Sequence, residues 1–423
     1  MNSILILLNI TLLAWLTRFM LRAQPHENKL LFGSSLTFKM LAGVALGVLY
    51  FYHYGAGDTI SYWKDGTDIA TLIRTAPAQA LAFLWDENST PEFTAALLQS
   101  APRSLYFAKI CGLFAFLSGD NYWVMATWMS LISFLGSWML FRSITTIEPG
   151  TRPAAAVAFL FFPSAIFWSS GLIKESIGLA ALYVLIAIGI AVVQGKRPSG
   201  VSWILVVVAL WVGWNLKYYW LGIFLPVALA VVAVKALLRW RSSWERVDLL
   251  LWLIFFMALL AIGTNIHPNF YASRFLEVTY HNNLEFTRLS EPPRIVQYLN
   301  LEPTTASLLL NAPAGLIAGL FRPFVWESFN ALSLLAGLEN TVLLILVLLA
   351  LPAVQQFKIS PHRLLLVAAV VYVVLLITFL ALSTPNFGTL SRYRIGAIPL
   401  LVFLCLAPST LVGKWLSKRD WFG

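Results

Sequence analysis

Charged residues that an apolar chain should not carry are the first candidates for chemistry. Asp58 lies in YHYGAGDTISYWKDG (Tyr52–Gly66), directly after a long apolar run. A carboxylate at the boundary between water and lipid is partly desolvated, a setting suited to a general base. Gly55 and Gly57 permit a sharp entry into a helix starting at Asp58, and Tyr62 at i+4 then shares its face. A helix-capping Asp58 is the plainer alternative. Asp65 and Asp68, farther along the segment, are expected to be more solvated and weaker candidates.

Four further constellations stand out. In FFPSAIFWSSGLIKESIG (Phe161–Gly178), Gly171 ends one helix and Lys174–Glu175 begins the next. The helix dipole favours Glu175 there but not Lys174, so a phosphate beside the lysine would account for it; a snorkelling lysine and a capping glutamate are the alternative. In FRPFVWESFNALSLLAGLEN (Phe321–Asn340), Arg322 and Glu327 flank a proline–aromatic turn. Glu339 lies within an apolar run, where acids are costly and often functional, with Arg322 or Arg394 as the expected partner. In STPNFGTLSRYRIGAIP (Ser383–Pro399), Arg392 and Arg394 offer forked guanidinium groups to a phosphate or pyrophosphate; headgroup anchoring would also explain them. Lys217 in NLKYYW (Asn215–Trp220) is a weaker phosphate-binding candidate, and aromatic anchoring fits it equally well.

The elements that must position these residues are membrane helices. The 423 residues are 59% hydrophobic and 11% charged, against about 25% charged in soluble domains. Apolar runs near ~20 residues match a helical crossing, and the alternation of a membrane barrel is absent. The runs predict about eleven crossings, at roughly 3–21, 39–54, 122–142, 153–169, 174–194, 201–214, 219–238, 247–264, 332–351, 363–382 and 394–410. The fold class is thus all-α, a single polytopic membrane domain over 1–423, with two long loops at 55–121 and 265–331. With the N-terminus outside, 17 of the 29 Lys and Arg fall inside with 5 of the 19 acids, leaving 12 and 14 outside. The net charge of +10 is then a positive-inside signal rather than a nucleic-acid footprint.

Within the long loops, 104–118 and 304–321 read as interfacial or re-entrant helices. The first run lacks a basic leader and a small-residue cleavage site, so it reads as a retained helix. No internal repeat is visible. Cys111 and Cys405 read as packing residues. There is no P-loop, GxGxxG after a strand, HExxH or CxxC, and His26, His53, His267, His281 and His362 are scattered. No cofactor is expected, with an all-carboxylate Mg²⁺ or Mn²⁺ site left open.

Asp58 in the first long loop, PSxxFWSSGLIKES in mid-chain and SRYR before the last helix together resemble the GT-C superfamily of polytopic glycosyltransferases. That resemblance covers most of the chain in layout. It implies a polyprenyl-phosphate or polyprenyl-pyrophosphate sugar donor and a glycan, lipid or protein acceptor. It implies Asp58 as general base, Glu175 as supporting acid, and Arg392 or Arg394 as phosphate clamps. The expectation is an inverting transferase of a bacterial inner membrane, active at its extracytoplasmic face in surface-polysaccharide or glycolipid assembly. The alternatives are a repeat-unit polymerase or ligase, and a transporter or flippase.

Overall fold

A computed structural model describes residues 2–266, 271–291, 294–355, 360–407 and 410–417. His267, Lys358 and Lys418–Asp420 lie outside these. Among the described residues every regular element is a helix, apart from one isolated bridge, Ile295 to Asn386. Helix is the open-ended element that satisfies every backbone group in lipid, and the Leu-, Ala-, Val- and Ile-rich runs favour it.

The chain opens with α1 (Asn2–Arg22) and α2 (His26–Val48), whose last turns widen to π geometry over Leu49–Tyr54. The first long loop folds as α3 (Asp58–Thr75), α4 (Pro77–Trp85), α5 (Pro91–Ala96) and α6 (Pro102–Ser118). Then follow α7 (Tyr122–Ile147), α8 (Arg152–Ala156), α9 (Pro163–Trp168), α10 (Lys174–Val193) and α11 (Gly200–Trp240). After α12 (Asp248–Ile266), the second long loop carries α13 (Ala272–Arg288) and α14 (Thr305–Phe321). The chain continues through α15 (Ala331–Ala350), α16 (Arg363–Ser383), α17 (Phe387–Tyr393), α18 (Ile398–Cys405) and α19 (Leu411–Ser417).

Eight helices among the described residues are long and apolar enough to cross a membrane, or up to nine counting the pair Phe387–Gly396 and Ile398–Cys405, bent by 66°. This is the architecture of a polytopic membrane protein, and it departs from the predicted eleven crossings at four places. The second helix starts at His26 rather than 39, because its polar residues face protein partners: Asn28 accepts from Arg152, and Lys39 donates to Ser169. Lys39 is therefore buried inside a span rather than at its basic end. The run 153–169 is interrupted at Phe162–Pro163, since proline lacks an N–H and pushes its predecessor to extended geometry (φ −65°, ψ 117°). The last predicted helix, 394–410, begins only at Ile398, after the bend that separates α18 from α17.

The fourth departure is α11. As a straight rod its 41 residues would measure about 60 Å, twice the hydrocarbon thickness. Instead the backbone leaves helical geometry at Lys217 (φ −142°, ψ 54°) and the chain doubles back. Arg239, near its end, donates to the carbonyls of Val192 and Val193 at the far end of α10, while Lys217 reaches Glu175 at the near end. Gly213 lies against Leu221, an approach a straight helix forbids. The regions predicted as 201–214 and 219–238 are thus two antiparallel arms of one bent helix.

The two long loops gather at one end of the bundle. Ser104 meets Lys174, Arg103 stacks on Tyr218, Tyr298 donates to Ala381, and Asn283 donates to Leu382. The opposite end holds Arg152 with Glu27 and Asn28, Arg239 with α10, and Arg363 with Asp248. The loop helices pack more tightly than surface helices need to. Gly66 and Gly112 bring α6 against α3, and Gly315 and Gly319 bring α14 against α16. Small residues let backbones approach where lipid removes the hydrophobic drive between helices.

Candidate functional site

Helix ends, which carry unsatisfied groups, converge at the loop-bearing end. α3 starts at Asp58, α10 starts at Lys174, α11 turns at Lys217, and α17 ends at Tyr393. Gly57 precedes Asp58 with φ +124°, and a Cβ there would lie 2.6 Å from the Tyr50 ring. Only glycine lets the chain enter α3 at this angle. Gly171, at φ +76°, ends the preceding segment against Gly43 of α2, and its N–H donates to Ser130 Oγ.

A ladder of alternating charge runs through the cluster. Arg392 Nη1 donates to Asp58 Oδ2 at 2.7 Å. Arg392 Nε lies 2.9 Å from Glu175 Oε1, poorly aligned for a hydrogen bond. Lys217 Nζ donates to the same Glu175 oxygen at 2.6 Å and to the Tyr219 hydroxyl at 3.1 Å. The Lys217 ammonium also sits 4.0 Å from the Tyr393 ring centre and 5.5 Å from that of Trp220. Glu175 is fully buried and Arg392 nearly so, whereas the Asp58 side chain is 44% exposed. The ladder therefore opens to its surroundings at Asp58.

Beside it, Lys174 Nζ donates to Ser104 Oγ at 3.0 Å, and the Tyr62 hydroxyl donates to the same oxygen at 3.3 Å. Two accepted bonds fill the Ser104 lone pairs, so its remaining function is a donor. Burial, with the Asp58 charge behind it, pushes the Tyr62 phenol far above its ordinary value, which keeps it a neutral donor. Two carboxylates (Asp58, Glu175) face three cations (Arg392, Lys217, Lys174), so the cluster carries one excess positive charge. Arg392 Nη2 is buried with no hydrogen-bond partner among the described residues. Unmade buried donors are costly, and an anion would satisfy this one.

A second group lies two residues away in sequence but is differently built. Arg394 is buried and donates to the Gly319 and Leu320 carbonyls at 3.0 Å each, and to Asn340 Oδ1. It ties the bend before α18 to the end of α14. Arg322 forks onto Glu327, which also accepts from Phe324 N at 2.8 Å. Burial raises the Glu327 carboxyl, but the Arg322 bond and the Phe324 N–H outweigh it and hold it below its ordinary 4.5. Glu339, expected to pair with Arg322 or Arg394, acts on the Arg394 charge without a direct ion pair, and it accepts from Ser164 N at 2.8 Å and so joins α15 to α9.

Asp58, Tyr62, Lys174, Glu175, Lys217 and Arg392 are thus brought together, while Arg322, Glu327, Glu339 and Arg394 form the adjoining network. Asp58 does not cap α3; its side chain turns to Arg392. Asp65, expected to be solvated, is fully buried and accepts from Leu98 N and Gln99 N, which pins the first loop; Asp68 is exposed. Ser104 and the rings of Tyr219 and Tyr393 were not read from sequence. A serine after Pro102–Arg103 has no distinguishing signal, and only the fold of the loop brings it to Lys174. Among the described residues no group of three or more His, Cys, Asp or Glu side chains gathers as a metal site, and both cysteines are buried and free.

No family model matches the chain, and no curated protein or solved structure does so either.

Proposed function

We propose that this protein is a membrane glycosyltransferase. It moves a sugar from a polyprenyl-phosphate or polyprenyl-pyrophosphate donor to an acceptor at the extracytoplasmic face of a bacterial inner membrane, in surface-polysaccharide or glycolipid assembly. The observation that carries this reading is the loop-bearing cluster itself: a half-exposed carboxylate, an excess positive charge and an unpartnered buried guanidinium nitrogen at the ends of apolar helices. An amphiphile with a phosphate head and an apolar tail complements all of these.

In the proposed reaction the acceptor hydroxyl attacks the anomeric carbon as Asp58 takes its proton. The bond from that carbon to the phosphate oxygen breaks, and the phosphate leaves with the electron pair. One displacement inverts the anomeric configuration. Arg392 and Lys174 stabilise the leaving charge, with the Ser104 hydroxyl as a further donor. Arg392 holds Asp58 in this structure, so donor phosphate would compete for the guanidinium and release the carboxylate for the acceptor. Glu175 keeps Arg392 and Lys217 in place. Arg394 supports the bend rather than binding phosphate.

An eleven-crossing topology, counting both arms of α11, the bent pair α17–α18 and the interrupted run 153–169, belongs to this proposal and puts the loops at 55–121 and 265–331 outside. Cysteines substituted at Ser89 or Asn283 should then react with an impermeant thiol reagent from outside, and those at Ser199 or Ser242 should not. The direct test is sugar transfer by purified protein with short-chain polyprenyl-phosphate and -pyrophosphate donors. Transfer only of a preassembled oligosaccharide would instead identify a polymerase or ligase. No transfer from any such donor, with the protein folded, overturns the reading.

A further inference from the structure

An aromatic cleft of about 310 Å³ is lined by none of the charged-ladder residues. Phe51 and Tyr52 at the outer end of α2, Trp63 of α3, and Tyr122 and Trp123 at the start of α7 line it, with Asp120 and Asn121 at its edge. The Tyr122 hydroxyl lies 2.9 Å from Thr59 Oγ1, the residue after Asp58. One wall of the cleft is therefore bonded to the residue that follows Asp58 at the start of α3.

The rings form a built arrangement. Phe51 meets Tyr122 at 4.8 Å and 81°, and Tyr122 meets Trp123 at 5.1 Å and 89°. Trp63 is fixed by its indole N–H, which donates to the Asp120 carbonyl at 2.8 Å. A Cβ on Gly47 would lie 2.7 Å from both Tyr122 and Trp123, so glycine admits the rings to α2. Rings that only anchor a protein at a membrane interface point outward to lipid. Here Phe51, Trp63, Tyr122 and Trp123 pack edge to face on one another, and Tyr52 and Trp123 stay exposed at the cleft.

Charge selects the ligand class. The Asp120 carboxylate is forked by Arg74 at 2.7 and 3.0 Å, so acid and base cancel. An ammonium ligand would want a free carboxylate beside the rings, and a phosphate would want a free cation. What the cleft offers is ring faces, a neutral ion pair, the Tyr52 phenol and the Asn121 amide, whose oxygen already caps Val124 N. A neutral, hydroxyl-rich ring with one apolar face fits that offer. We infer that the cleft binds a pyranose ring of the acceptor saccharide, near the start of the helix that carries Asp58. The word acceptor rests on the transferase reading; saccharide binding does not.

The test uses the full chain in polymer-bounded lipid discs, since alkyl-glycoside detergents would compete. Methyl pyranosides of gluco, galacto, manno, 6-deoxy and 2-acetamido type are probed by saturation-transfer NMR. At least one should receive saturation, strongest on the protons of one ring face. The signal should be lost in Trp123→Ala, return in Trp123→Phe, and fall severalfold in Tyr52→Ala, whose ring is 80% exposed and outside the packed core. Asp58→Asn should retain the signal while losing sugar transfer. No saturation with folded wild-type protein, or saturation indifferent to both aromatic truncations, would reduce the rings to membrane anchors. Displacement of the signal by tetramethylammonium at matched concentration would make the cleft a cation cage and equally overturn the inference. Pyranoside binding with an active Asp58→Asn would leave the cleft standing and remove the transferase reading. No binding with an inactive Asp58→Asn would do the reverse.

Discussion

Arg392 and Arg394 are two residues apart on one bend and have opposite fates. Arg392 faces carboxylates, one of them 44% exposed, and keeps a buried nitrogen without a partner. Arg394 is hydrogen-bonded to carbonyl oxygens and an amide inside the protein, with Glu339 acting on it only through space. A guanidinium paired with an ionised, half-exposed side chain can exchange that partner for another anion. One bonded to backbone carbonyls cannot do so without unravelling the helix end that supplies them. Both are arginines in SRYR, so residue type does not separate a binding group from a structural tie. The mobility of the partner does.

The sharpest way to break this comparison is at the open end of the ladder. Asp58→Asn is nearly isosteric and removes the proposed base. Transfer should fall by ~10²–10⁴ at matched protein levels, with the melting temperature little changed. Full transfer in that variant would remove Asp58 from the chemistry. Next in size is the buried rung. Glu175→Gln leaves Lys217 facing no carboxylate and Arg392 only Asp58, and breaking a buried pair from one side costs about 3–5 kcal/mol. A large drop in thermal stability in lipid discs is expected. A melt equal to wild type would mean that the ladder is held by something other than charge.

A third experiment sets the two arginines side by side. Arg392→Lys keeps charge but loses the fork, and the apparent donor KM should rise about tenfold, the equivalent of one charged hydrogen bond. Arg394→Lys should lower the melting temperature and leave donor KM unchanged. An identical response from both would erase the distinction drawn above. The smallest effect concerns pH. The Glu327 carboxyl is held below 4.5 in the folded protein, so its stabilising pair with Arg322 is fully present above that value and lost as pH falls through the depressed one. Glu327→Gln should flatten the loss of melting temperature between about pH 5 and 3, by no more than about 1 kcal/mol for a partly exposed pair. Unchanged acid sensitivity would show that other carboxylates govern it.

The sequence by itself determined the helical membrane class, the two elaborated loops and the beginnings of α3 and α10. Apolar run length, Gly57, Gly171 and the proline positions are local signals, and local backbone physics reads them directly. It also singled out most of the charged cluster, because a charge in an apolar chain is conspicuous wherever the chain goes. The number of crossings was less legible. The bend at Lys217 and the start of α2 at His26 depend on what the polar side chains meet across the bundle. Only the tertiary structure decided which acid met which base, that Asp65 is buried, that Glu339 answers Ser164, and that Ser104 joins Lys174. Those pairings join residues from 33 to 334 positions apart in sequence. Their energies depend on burial and distance, and neither exists until the helices have packed.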